Sequence, residues 1–362
     1  MVDRSKLSED RVLRILERAR WAPSGDNTQP WRFEISGIDQ VIVYGHDTRD
    51  QILYDFDGHA SHIAHGALLE TMKIAASAEG MAMSWLAGSD PEWRKIEYKV
   101  KFSDAPGLGT DPLAPFIESR SVQRRPMSMK PLSKEQRQAI MVAAGEHFEV
   151  QLFERFSERK RIAGLLWDNA HIRLTCPEAF PVHQSIIEWG AQFSKDRIPE
   201  QAVGVDPVTA KLMRWVMHSW QRVDFFNRYL MGTIGPRIQL DYVPALMCAA
   251  HVLLKPRAAP SRLEDWVALG AAMQRVWLTV SSLGLHLQPE MTPVIFRWYS
   301  QANRQFSSNS VFKEKSSSLA RQFEAIAGTT PDQHFGFFCR VGLSEAPKSR
   351  SLRLALIDLI GS

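Results

Sequence analysis

Between Ala22 and Phe33 the chain reads Ala-Pro-Ser-Gly-Asp-Asn-Thr-Gln-Pro-Trp-Arg-Phe. Six of these residues, Ser24 to Gln29, are fenced by Pro23 and Pro30, and five of the six carry side-chain donors or acceptors. Gly25 adds one unhindered backbone approach. Such a stretch suits a flat, polar-edged ligand held by short hydrogen bonds; a capped helix end followed by an ordinary polar turn would use the same residues. A second chemical cluster is Arg120-Ser121-Val122-Gln123-Arg124-Arg125. Guanidiniums converging near a helix start make a phosphate clamp through bidentate, charge-assisted bonds, although a solvated turn has the same composition. A third, Pro347-Lys348-Ser349-Arg350, is a short basic segment, and a fourth is Pro289-Glu290-Met291-Thr292.

The elements that position these groups are legible. Val12, Ile15, Leu16 and Ala19 fall at helical spacing, and Pro23 stops that helix because it lacks an N–H. Phe33 and Ile35 begin a strand, Val41–Tyr44 reads as a buried strand, and Ile96, Tyr98, Val100 and Phe102 alternate as a third. Gly58 to Ala78 has a helical pattern that Gly80 closes. Asp104–Pro115, rich in Gly, Pro and Asp, is a connector. The pattern then restarts: Ser133 and Gln136 frame a capping box, Asp265–Ser282 is a long apolar helix closed by Gly284, and Phe335–Gly342 is a late strand.

The run from Ala22 to Phe33 resembles the A-P-S-[SG]-x-N-x-Q-P-W-x-F signature of the FMN-binding nitroreductase superfamily. In that family the turn lies against the isoalloxazine and ribityl part of FMN. The resemblance implies that Pro23, Ser24, Gly25, Asn27 and Gln29 contact the cofactor, with Ser24, Asn27 and Gln29 bonding its ribityl chain or ring edge. Arg120 and Arg124 are similar to the R-x-[ST]-x-R phosphate segment of the family, Val122 departing from the usual hydroxyl residue. Lys348 and Arg350 resemble its P-K-S-R close, where both reach the phosphate. Pro289 and Met291 fall where the family faces flavin N5, with the usual glycine and acidic residue out of place. No catalytic side chain is implied.

Gly66-Ala67 and Gly270-Ala271 each precede a helix-closing glycine by the same interval, Gly80 and Gly284, so a duplication is visible. The expected architecture is therefore α+β: a nitroreductase-like fold repeated within one chain, helices around mixed or antiparallel sheets. Residues 1–115 form the first half and 116–362 the second. The second half carries about 80 additional residues, near 155–245, with Leu212, Trp215, Val216, Trp220, Phe225, Phe226, Leu230 and Met231 serving either as extra core or as a lid. The first half has the signature turn but no arginine opening; the second has the arginines, but reads Ala144-Gly145-Glu146-His147-Phe148-Glu149 where its turn belongs. The arrangement resembles the two-repeat, Acg-like branch of the superfamily: an intramolecular pseudo-dimer with one complete site, either monomeric or paired into a further homodimer.

Composition sets limits. The 362 residues are 44% apolar and 23% charged, as in a soluble globular protein. The polar start MVDRSKLSED is not a secretory signal. No apolar run approaches the ~20 residues of a membrane span, and no membrane partner is expected. Cys176, Cys248 and Cys339 are too far apart and too few for a disulfide framework, so a reducing, cytoplasmic setting is expected. A net charge of +4 without a basic block or nucleic-acid motif argues against nucleic acid. His59, His62 and His65 fan too widely around a helix to close on one metal, and solvated or hydrogen-bonded histidines are expected. The G-x-S-x-G and G-x-G-x-x-G motifs are absent. Two functions of different class remain. One is an FMN-dependent oxidoreductase passing hydride from NAD(P)H, as a transient visitor, to a small organic acceptor such as a nitroaromatic, quinone or enone. The other is a lidded protein that sequesters FMN without turnover. A specialised biosynthetic flavin dehydrogenase is a third, weaker reading.

Overall fold

The computed structural model describes residues 4–361; Met1–Asp3 of the polar N-terminus and Ser362 lie outside the described residues. The first half opens with helix α1 (Arg4–Ala19), whose Val12, Ile15, Leu16 and Ala19 are fully buried. Strands β1 (Trp31–Gly37) and β2 (Gln40–His46), helix α2 (His59–Ala78), and strands β3 (Met81–Ala87) and β4 (Lys95–Asp104) follow. All pairings are antiparallel, in the order β1-β2-β4-β3. Along β4, Ile96, Tyr98, Val100 and Phe102 point into the core and their neighbours outward, the two-residue period of a half-buried strand.

The second half repeats this plan. Helix α3 (Lys134–Ala143) starts at Ser133 with both hydrogen bonds of the capping box formed. Strand β5 (Phe148–Phe153) comes next, then α4 (Phe156–Thr175), α5 (Phe180–Ile186), α6 (Pro207–Val216) and α7 (Trp220–Tyr229). Strand β6 (Ala250–Pro256), helix α8 (Leu263–Ser282), strand β7 (His286–Pro289), helices α9 (Thr292–Gln301) and α10 (Ser310–Ala327) and strand β8 (Phe337–Gly342) complete it. The sheet order is β7-β8-β6-β5, again all antiparallel. Matching β5, β6, β7 and β8 to β1, β2, β3 and β4 makes the two orders identical, and α8 corresponds to α2. The fold is α+β; its two four-stranded sheets are antiparallel, and two short two-stranded pairings, Arg350–Ser351 with Phe193–Ser194 and Ile187–Glu188 with Ile198–Pro199, are parallel.

Two differences separate the repeats. Where β1 and β2 are joined by a tight turn, β5 and β6 are separated by residues 154–249. A second insertion, α9 with α10, separates β7 from β8 and has no counterpart between β3 and β4. The sequence reading did not isolate that second insertion, because its helices have no repeat partner to compare with. Where the second repeat's signature turn belongs there is only a short turn over residues 144–147, with Gly145 at a positive φ of 79°, before β5 begins at Phe148.

The halves meet along α2 and α8, which cross at Gly66 and Gly270. A Cβ on Gly66 would lie 2.0 Å from the Val267 carbonyl oxygen, and one on Gly270 would lie 2.0 Å from that of Ile63; each would be 2.9 Å from the other glycine's Cα. The reciprocity marks a local pseudo-two-fold axis. Around it, Ile63 and Ala67 of α2 join the second core, while Leu263, Val267 and Leu278 of α8 join the first. Gln274 donates to Thr71 across the same contact at 2.9 Å.

Candidate functional site

The segment after α1 is bent sharply. Asp26, Asn27 and Gln29 all hold positive φ, at 49°, 65° and 48°. Non-glycine residues avoid this region, and clusters of them are held only where the surroundings over-determine the backbone. The surroundings here are two distant segments. From the C-terminal arm, Arg353 donates to Asn27 Oδ1 (2.8 Å) and to the Ala22 carbonyl (3.0 Å), and the Leu354 N–H donates to Gln29 Oε1 (2.9 Å). From the long insertion, the Lys195 carbonyl accepts from Asn27 Nδ2 (3.1 Å) and Gln29 Nε2 (2.8 Å). Ser24 Oγ accepts from the Gln29 N–H at 2.9 Å. Asn27 and Gln29, named from the sequence as ligand contacts, thus have protein partners that set the shape of the turn. Arg353, which anchors it, was not singled out in the sequence; its only signal was its place three residues after Arg350.

The turn forms one wall of a cavity of about 670 Å³, within the range of small-molecule and cofactor sites. Pro23, Ser24, Gly25 and Asp26 line it from the first half, and Arg124, Pro289, Met291 and Arg340 line it from the second. The arrangement thus gathers residues from both repeats. The floor includes Ile63 of α2 with Met273 and Trp277 of α8, beside the glycine crossing. The roof is α6 and α7, including Met213, Val216, Trp220 and Phe226. Insertion helix α4 contributes core through Ile162, Ala163 and Leu165, whereas α6 buries only Ala210 and α7 buries no residue fully. The insertion is both extra core and cover.

Charge in the wall alternates. Asp26 is half-accessible through the cavity yet deep in the fold, and burial pushes its carboxyl up against the pull of Arg124 and Arg173. Burial draws the Arg124 guanidinium down to about 10. Arg173 is paired with Asp241 at 3.0 Å, and Tyr54 shares a 2.9 Å hydrogen bond with His183, whose imidazole burial holds down at about 3. Below Met291, Glu290 bonds to Arg340 (2.8 Å) and to His251 Nδ1 (2.7 Å), while His251 Nε2 faces the Ala245 carbonyl at 2.9 Å. Both imidazole nitrogens therefore face acceptors, which only the doubly protonated ring satisfies. Burial alone would lower its pKa; the Cys248 sulfur and the Glu290 carboxylate outweigh it and raise it to about 10.

Three residues of the wall have buried polar atoms with no hydrogen-bond partner: Trp277 Nε1, Gln288 Oε1 and Arg340 Nε. Behind the turn, Arg120 lies 4.4 Å over the Trp277 ring, donates to the Trp21 carbonyl and leaves its Nε unpaired. Burial lowers its pKa well below normal, and Arg353 and Arg350 lower it further. Arg350 stacks 4.8 Å over Trp21 and donates to the Glu118 carbonyl. Among the described residues these three guanidiniums make hydrogen bonds to carbonyls and to Asn27, and none to a carboxylate. The side chain of Lys348 is exposed and, like Arg120 and Arg350, does not line the cavity.

Of the histidines of α2, His65 is hydrogen-bonded, as the sequence reading allowed, and His62 departs from it. His62 and His65 are fully buried, not solvated. His65 bonds to Tyr98 and the Pro30 carbonyl, but neither nitrogen of His62 has a partner. Among the described residues no group of three His, Cys, Asp or Glu stands close enough to hold a metal, and all three cysteines are buried and unpaired with one another. No helix among the described residues is long and apolar enough to cross a membrane.

No protein-family model matches the chain. It is similar to the uncharacterized protein MT1398 of Mycobacterium tuberculosis, with 24% identity over 302 residues, covering 77% of this chain and 38% of the relative. The chain thus spans well under half of that protein's length. Among solved structures it is similar to the FMN-dependent nitroreductase NfnB from Mycobacterium smegmatis in complex with NADPH (13% identity, 68% of this chain, 96% of that one, TM-score 0.39). It is similar also to oxidized iodotyrosine deiodinase bound to FMN and 3-iodo-L-tyrosine (12% identity, 66% and 92%, TM-score 0.33).

Proposed function

We propose that this chain is an FMN-dependent oxidoreductase of the nitroreductase type, with one flavin site per chain in the cavity between its halves. One observation carries the reading. A turn matching the superfamily signature is held in a left-handed conformation against a cavity whose wall keeps Trp277 Nε1, Arg340 Nε and Gln288 Oε1 unpaired. Two donors and an acceptor suit the mixed donor and acceptor edge of a flavin. The bound FMN would supply hydride transfer from NAD(P)H to a small organic acceptor such as a nitroaromatic, quinone or enone.

The residues then divide the work. Pro23, Ser24 and Gly25 present a thin polar wall to the ring and ribityl chain, while Asn27 and Gln29 hold that wall in shape. Pro289 and Met291 face the opposite side, over a buried chain whose formal charge is +1: the His251 imidazolium and Arg340 against Glu290. That charge favours an electron-rich ligand above it. For the phosphate, Arg124 stands on the cavity wall with Arg173, which Asp241 pairs, and Arg340, which Glu290 pairs. Arg120 and Arg350, joined by Arg353, form a guanidinium cluster without a carboxylate, and Lys348 stands at its exposed approach.

A second reading, sequestration of FMN without turnover, draws support from the apolar roof of α6 and α7. One experiment separates them: purified protein is incubated with FMN, its visible spectrum recorded, and NADH and then NADPH added without oxygen. Bleaching, with recovery on adding a quinone or nitroaromatic, is the expected result. A spectrum that stays yellow favours sequestration. No bound flavin refutes both, and Arg120→Ala/Arg124→Ala, checked for folding by circular dichroism, is expected to lose the flavin.

A further inference from the structure

Helices α6 and α7 are apolar on two sides. Their inner residues roof the cavity. On the outer side Val208, Leu212 and Trp215 recur at i, i+4 and i+7 and are 79%, 49% and 53% exposed. The second helix adds Phe225 and Tyr229, and the two residues after it Leu230 and Met231, exposed by 52%, 70%, 55% and 70%. Ring contacts run from Trp215 to Phe226 (5.8 Å), to Phe225 (6.2 Å) and to Tyr229 (5.2 Å), so the two helices share one aromatic ridge. A contiguous exposed apolar patch marks an interaction site.

Two further features select the partner. From residue 207 to 231 the basic residues are Lys211, Arg214, Arg222 and Arg228, and the only acid is Asp224, which Arg228 pairs at 2.9 Å. The patch is thus an apolar and aromatic ridge edged by excess positive charge, the pattern of helices that lie in a lipid headgroup layer. Moreover Leu212, Leu230 and Met231 belong both to the exposed patch and to the cavity lining. The cavity therefore opens within the patch, and whatever covers one covers the mouth of the other.

We propose that α6 and α7 dock this chain on an anionic lipid surface, with the cavity mouth facing the bilayer, so that an apolar acceptor passes from lipid to cavity without crossing water. This revises the expectation of no membrane partner, which rested on the lack of a spanning segment; two ten-residue helices lying flat need no span. Docking of α6 and α7 concerns the roof alone; only the use of the delivered molecule as an acceptor rests on the flavin reading.

Flotation of the full-length chain with vesicles tests it. Vesicles of phosphatidylglycerol and phosphatidylcholine are expected to carry the protein upward at low salt, phosphatidylcholine alone at least tenfold less, and 0.5 M salt is expected to release it. Lys211→Glu/Arg214→Glu should lower partitioning at least about tenfold on the anionic vesicles, on the order expected for two surface charges. Val208→Ser/Trp215→Ser/Tyr229→Ser should abolish it with an unchanged circular dichroism spectrum. Retention of the wild-type chain in the vesicle-free fraction overturns the proposal, as does equal partitioning of the charge-reversed variant. A solution dimer that the triple substitution dissociates overturns it in favour of a second copy of the chain as the cover.

Discussion

In most helices replacing glycine by alanine stabilises the protein, by about 1 kcal/mol at a helix centre. Gly66→Ala is expected to do the opposite. Its methyl carbon would stand 2.0 Å from the Val267 carbonyl oxygen, and ordinary contact begins near 3.4 Å. The obstacle is backbone, so no side-chain rotation relieves it, and α2 and α8 must separate by up to about 1.4 Å. Overpacking of this kind costs roughly 1–3 kcal/mol and sometimes more; with rigid backbone on both sides we expect the upper end, about 3 kcal/mol, which the helix gain reduces to a net loss of about 2 kcal/mol. Gly270→Ala meets the Ile63 carbonyl at the same distance, so its loss is expected to be equal within about 0.5 kcal/mol. The double variant is the sharper test. Once one methyl has parted the helices the second finds room, so the two losses should fall short of additivity by about 2 kcal/mol. Ile63, Met273 and Trp277 floor the cavity beside this crossing, and FMN affinity is expected to fall with stability. Urea unfolding of the two single variants and the double, with FMN titration of each, gives the numbers. A neutral or stabilising single substitution, or two losses that simply add, refutes the reasoning.

Other consequences concern charge and the turn. Glu290→Gln leaves the His251 imidazolium and Arg340 buried without a counter-charge, and should cost about 3–5 kcal/mol in denaturant unfolding at pH 7; a loss below 1 kcal/mol would refute the pairing. Because the His251 pKa is raised in the folded state to about 10, its contribution is complete below about pH 6.5 and disappears as pH rises toward 10, so the wild-type protein should weaken over that alkaline window. His59, His62, His65 and His183 behave oppositely. Burial lowers them to about 4, 2, 4 and 3, the unfolded chain takes up their protons first, and stability should fall as pH drops below about 6.5. His62→Leu should flatten that acid limb, gaining at least about 1 kcal/mol at pH 5, and an unchanged melting curve at pH 5 would count against it. Arg353→Ala should weaken FMN binding at least tenfold, by flavin fluorescence, while the urea midpoint moves little; undiminished affinity would show that the arm does not shape the turn.

The sequence disclosed what local chemistry dictates. The stripe Val12–Ala19 with Pro23 beyond it, the alternation from Ile96 to Phe102, and the capping box at Ser133 each encode their element within a few residues. The duplication was legible because Gly66 and Gly270 are fixed by a backbone contact no other residue permits. What stayed hidden depends on distance along the chain. Asn27 and Gln29 meet Lys195, Arg353 and Leu354 across more than 160 residues, and nothing local distinguishes an amide that binds a ligand from one that binds the chain. The His251–Glu290–Arg340 chain joins residues in β6 and β8 to the residue just after β7, which sequence spacing does not connect. Strand β6 escaped because a buried central strand is continuously apolar and resembles helix core in a window that short, whereas β5, at the sheet edge, is a six-residue alternation, Phe-Glu-Val-Gln-Leu-Phe, too brief to stand out beside the capped helix before it.

The crossing of Gly66 and Gly270 has a consequence for behaviour at low concentration. A cavity walled by two separate polypeptides comes apart when they are diluted below their dissociation constant, and its melting temperature rises with protein concentration. Here both glycines belong to one covalent chain, so their meeting is a first-order event whose effective concentration is set by the connection between them. The melting temperature of the crossing is then expected to be the same at nanomolar and micromolar protein, and the cavity to stay assembled however few copies a cell contains.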